Sequence, residues 1–176
     1  MSLFRNISCV LLLLLLLSGC GFRPQYASYA DKDHQGLFSH VTIPIIADRY
    51  GQVLRNKLTT FLGDTGALQA KYKFPIHLSI SNRGIGVERN LNASRFESIV
   101  IANYQLIDQA TNTSIGQGTC QTSEYYAISK TQIFQSLSAE ENAPQRGLDV
   151  VARCLTDRLA LMLKEFQEDS YRNATE

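Results

Sequence analysis

The chain has 176 residues, of which 44% are hydrophobic and 19% charged, with 17 basic against 16 acidic side chains. This is enough for one domain with a real core, in an ordinary balance for a folded protein. A near-neutral chain lacks the basic surplus of a nucleic-acid binder, so no nucleic-acid partner is expected, although a local basic patch remains open.

Residues 7–17 are almost wholly apolar and include an unbroken leucine run at 11–17. Arg5 precedes them and the small residues Ser18 and Gly19 follow, the layout of a secretory signal. A bilayer-spanning helix needs about 20 apolar residues, so this stretch is too short to span. Its exit, Leu17-Ser18-Gly19-Cys20, resembles the lipobox of bacterial lipoproteins. There a branched apolar residue and two small ones fit the signal peptidase, and the thiol after the cut accepts a diacylglyceryl thioether. Each buried CH2 contributes about 0.8 kcal/mol, so two or three chains on Cys20 would anchor the protein firmly. The expected organisation is a signal peptide at 1–19, a lipidated cysteine and tether at 20–40, one domain at 41–168 and a polar tail at 169–176. Loss of residues 1–19 removes Arg5 and no acid, leaving both signs balanced.

In the tether, Pro24, Gly36 and scattered polar residues interrupt any periodicity. Phe22, Tyr26 and Tyr29 could meet a membrane surface or the domain. Residues 41–46 read as a first strand that Pro44 makes an edge or ends early. Asp48 is placed to cap a helix whose apolar stripe is Val53, Leu54, Leu58, Phe61 and Leu62, with Gly63 as its stop. Residues 74–81 alternate apolar and polar, as a half-buried strand does. Asn82-Arg83-Gly84 bends or bulges it, and Ile85 and Val87 continue in the opposite parity. Residues 94–107 and 115–128 are two further strands around a turn. Residues 129–141 read as a polar connection. Asn142 is placed to cap a final helix with Pro144 in its first turn, followed by a stripe of Leu148, Val151, Leu155, Leu159, Met162 and Phe166. The order β-α-β-β-β-α predicts an α+β, two-layer sandwich, with two helices on one face of a four-stranded mixed sheet.

No catalytic constellation is evident and an enzyme is not expected. The histidines His34, His40 and His77 have no metal-ligand spacing, and no GxSxG elbow or phosphate-binding glycine loop occurs. No metal, cofactor or catalytic residue is assigned. Glu140-Glu141 is read as answering the helix dipole. With Cys9 in the signal and Cys20 lipidated, Cys120 and Cys154 are left either as a disulfide tying a late strand to the last helix or as two buried thiols.

Taken together, the chain resembles the LPS-assembly lipoproteins (LptE-like) of Gram-negative bacteria. The resemblance rests on Gly19-Cys20-Gly21-Phe22-Arg23-Pro24, Leu54-Arg55-Asn56-Lys57-Leu58, Arg89-Asn90, Tyr104-Gln105-Leu106-Ile107-Asp108 and the closing amphipathic helix. It implies an outer-membrane lipoprotein, lipid-anchored on the periplasmic side. Such a protein assists assembly of the β-barrel lipopolysaccharide translocon (LptD-like), plugs it and supports lipopolysaccharide delivery to the outer leaflet. Gly21 fits, because the inner-membrane retention signal of enteric bacteria places aspartate there. The resemblance also implies a lipopolysaccharide-binding arginine at Arg89, with Arg83 and Arg95 nearby. Arginine holds phosphate through paired N–H groups. The family's lysine before the last helix has no clear match here, Lys130 being the closest base. The plain alternative for the three arginines is a solvated turn. The other functions carried forward are a different envelope adaptor lipoprotein and a lipid-anchored periplasmic enzyme.

Overall fold

The computed structural model describes residues 38–63, 70–87 and 93–174. The expectations for Cys20, the tether and Arg89 lie outside them. Its elements in chain order are β1 (Val41–Thr42), α1 (Asp48–Leu62), β2 (Tyr72–Lys73), β3 (Ile76–Val87), β4 (Ala93–Asp108), β5 (Thr113–Ser129) and α2 (Ile133–Ala174).

β4 organises the sheet. β5 pairs antiparallel along one side of it, and β2 and β3 pair antiparallel along the other, while β1 lies parallel to β2. The sheet is therefore mixed, with five strands where four were expected. The extra strand arises at Phe74-Pro75. The Phe74 N–H turns to the Thr42 carbonyl at 2.9 Å, and Pro75 has no N–H to give, so the ladder with β4 resumes at Ile76 opposite Tyr104. The predicted change of parity in β3 is a bulge, where the register against β4 shifts between Gly84 and Gly86.

Both helices cover one face of this sheet. α1 buries Leu54, Leu58 and Leu62, and α2 buries Leu148, Val151, Leu155, Leu159 and Leu163. Between them lie Val100, Ala102, Tyr104 and Leu106, the alternate residues of β4. Gly147 lets α2 approach closely, since a Cβ there would come within 2.7 Å of the Val100 Cγ2 methyl. The helices are tied to each other by an ion pair between Lys57 and Asp149 and by the Arg153 guanidinium, 6.0 Å from the Phe61 ring centre. α1 stops at Gly63, whose φ of +80° suits glycine and whose N–H bonds the Thr59 carbonyl at 3.0 Å.

The expectations for the helix starts are corrected. Ala47, not Asp48, is the N-cap of α1 and supplies no side-chain bond; Asp48 lies in the first turn. The last helix begins at Ile133 rather than at Asn142, so residues 133–141 of the expected polar connection are helical, and the helix continues through Ala174. Ser136 fixes this early start. Its hydroxyl accepts from the Ser129 N–H at 2.8 Å and lies 2.9 Å from the Gln132 carbonyl. Asn142 and Pro144 are thus interior residues. Asn142 donates to Ser138 Oγ at 3.0 Å, and Pro144 removes the bond that residue 144 would give the Glu140 carbonyl. Glu140 and Glu141 lie too far inside the helix to serve its dipole.

Candidate binding surfaces

The face of the sheet away from the helices carries Arg83 and Arg95 near its distal end. Arg83 stands opposite Glu97 on β4, and Arg95 follows two residues away on the same face. Arg83 is engaged within the protein: its Nε donates to Glu97 Oε2 at 2.6 Å. Glu97 is 6% exposed on its side chain and also receives a hydroxyl hydrogen bond from Tyr125. Hydrogen bonds from Ser123 and then Arg83 hold its carboxyl below the usual range, against the opposing effect of burial. Arg95 forms no ion pair among the described residues. It borders a hollow of about 480 Å³ with Ile85, Tyr125, Tyr126 and Ala127. Ile85 is 46% exposed and Tyr125 62%, so the Arg95 guanidinium adjoins uncovered apolar surface.

A larger cleft, about 790 Å³, opens between α1, β3 and the first part of α2. Leu78 and Ile80 form its sheet side, Tyr50 its α1 side, and Leu137 and Pro144 its α2 side. Asp48, Arg49, Glu140 and Glu141 stand around it, with Arg49 Nη2 donating to Glu141 Oε1 at 3.1 Å. Just before it on α2, Ile133 is 65% and Phe134 90% exposed. Neither this cleft nor the exposed apolar turn was anticipated, because residues 129–141 were not assigned to a helix. Ile133, Phe134 and Leu137 at helical spacing were the available signal.

No known family profile and no curated protein matches the sequence. Solved structures do match its fold. One is a Caulobacter crescentus protein regarded as a lipoprotein, at TM-score 0.55 and 22% identity over 75% of this chain and 96% of that one. A minor lipoprotein from Acinetobacter baumannii aligns at TM-score 0.54 and 11% identity, over 71% and 94% of the two chains. A Helicobacter pylori protein regarded as a homologue of the neuraminyllactose-binding haemagglutinin aligns at TM-score 0.54 and 14% identity, over 74% and 90%. The shared property is the fold. Lipoproteins are among the proteins that use it.

Within this fold Cys120 and Cys154 form a disulfide with Cα atoms 6.1 Å apart, joining β5 to α2. This decides between the two states left open by the sequence. His77 is exposed on β3, as its place on a polar strand face suggested. Among the described residues no three His, Cys, Asp or Glu side chains gather as metal ligands would, and no helix is long and apolar enough to cross a membrane.

Proposed function

We propose that this chain is a lipid-anchored envelope protein and that it serves the outer-membrane lipopolysaccharide translocon, assisting assembly of a β-barrel partner and plugging its lumen. The observation that carries the anchoring is Leu17-Ser18-Gly19-Cys20 directly behind a short leucine-rich segment. The fold held in common with solved lipoproteins supports it, as does a disulfide, which suits an oxidising compartment outside the cytoplasm. The translocon role rests on the resemblance to LPS-assembly lipoproteins. A barrel lumen is polar, and this domain turns the mostly polar side chains of its helix-free sheet face outward. In this proposal Arg89 and Arg95 bind the phosphates of lipopolysaccharide, and Ile85 and Tyr125 lie beside its acyl portion. Arg83 contributes less, because Glu97 already occupies it.

Mass spectrometry of the protein from native envelopes is expected to find residue 20 as the acylated N-terminus; a bare thiol there removes the anchor. Tagged protein extracted in mild detergent is expected to retain a large barrel; the same extract without one removes the translocon role. Arg95→Glu and Arg89→Glu are each expected to weaken lipopolysaccharide binding at fixed salt by about tenfold while the melting midpoint holds, as charge-assisted hydrogen bonds contribute about 1.5–3 kcal/mol. Unchanged affinity in both would leave these arginines without a binding role.

A further inference from the structure

β3 is a terminal strand. It pairs with β4 along one edge, and β1 pairs only with β2. Among the described residues no backbone hydrogen bond reaches the outer edge of β3. Proteins usually blunt such an edge with charge, a bulge or a covering element, because its free N–H and C=O groups invite another strand. Here Arg83 and the bulge between Gly84 and Gly86 blunt the distal part only. Residues 76–82 keep regular pairing with β4, without a bulge. The cleft beside them is walled by Leu78 and Ile80 on β3 and by Tyr50, Leu137 and Pro144 on the helices.

We infer that the outer edge of residues 76–82 and the adjoining cleft form a docking site for an extended segment of a partner protein, which adds to β3 as a further strand and places alternate apolar side chains in the cleft. Two features select this occupant. An unpaired edge offers hydrogen bonds that only another backbone can meet in series, whereas an acyl chain would use the apolar walls and leave that edge unmet. The charged groups around the cleft are Asp48, Glu140 and Glu141 against Arg49, and Arg49 is already bonded to Glu141. The remaining negative charge at the cleft rim favours a segment whose apolar residues are flanked by lysine or arginine. The inference does not depend on the translocon role and would hold for any envelope partner with such a segment.

The test titrates the full-length protein with a labelled peptide, acetyl-Lys-Val-Lys-Val-Lys-Val-Lys-amide, and with a copy methylated on alternate backbone nitrogens. Saturable binding is expected, weakened at least about tenfold by methylation, since several hydrogen bonds are lost together. Leu137→Lys is expected to weaken it by about tenfold as well, by removing an apolar wall and repelling the probe. Leu137 is 58% exposed, so this variant should keep the wild-type melting midpoint. Amide hydrogen exchange of residues 76–82 should slow when the peptide is bound. Absence of saturable binding, or equal affinity for the methylated copy, overturns the inference. So does a wild-type dimer in sedimentation whose β3 amides are protected without peptide, because the edge would then belong to a second copy of this chain.

Discussion

Glu97 holds three partners from β3 and β5, and its acidity follows from them. Ser123, Arg83 and Tyr125 all favour the ionised carboxylate, so its pKa lies below the ordinary 4.5 in the folded state. A depressed folded pKa contributes stability above the unfolded value and loses it as pH falls through the folded one. Glu97→Gln is therefore expected to melt lower than wild type at pH 7, with the two midpoints converging as pH drops below 4.5. Melting curves from pH 7 to pH 3 check this, and a gap independent of pH would show that the ionised form is not the stabilising one. Gly147 acts through size instead. In Gly147→Val the Cβ would meet Val100 Cγ2 at 2.7 Å and Thr122 Cγ2 at 3.3 Å. Overpacking of this kind costs about 1–3 kcal/mol, against a helix-propensity gain of only a few tenths. A lower midpoint with unchanged far-ultraviolet dichroism is the expected result.

Among the elements, α2 carries the greatest share of buried side chains, and its core stripe was legible because apolar residues recur at three- and four-residue steps. Leu155 is fully buried, so Leu155→Ala should cost about 2–5 kcal/mol in urea unfolding. Leu161, 52% exposed on the same helix, should change stability by less than about 0.5 kcal/mol when replaced by alanine. The start of α2 was only weakly legible, in the helical spacing of Ile133, Phe134 and Leu137. Pro144, a common first-turn marker, pointed to a later start, and the Ser136–Ser129 contact that begins the helix is visible only in the fold. Strand parity exposed the β3 bulge in advance, because a one-residue slip exchanges the two faces. It could not reveal the break at Phe74-Pro75, which depends on β1 receiving the Phe74 N–H. Arg83 shows the same limit at the candidate site. The sequence suggested a basic turn, but Arg83 lies within β3, and Glu97 is its partner only through cross-strand register. The cleft joins three separated segments, and no local pattern signals such a meeting.

For the whole molecule, the proposed role requires that a domain with one helix-covered face be held at a membrane. Among the described residues no helix can span a bilayer. The proposed attachment is the lipid on Cys20. Cys20→Ser should move the protein from the membrane pellet to the soluble fraction, with the domain still folded. Continued pelleting after a high-salt wash, with the leader shown by mass to be removed, would mean that exposed side chains such as Phe134 and Ile133 provide the attachment instead.

The Cys120–Cys154 bond closes a ring in the chain with a sequence separation of 34. Heat or detergent can separate α2 from β5 but cannot open that ring. The fully denatured, oxidised polypeptide must therefore stay smaller in hydrodynamic radius than its reduced counterpart. Electrophoresis in detergent should show the non-reduced form running ahead of the reduced one, so a plain gel reports whether a given batch folded under oxidising conditions.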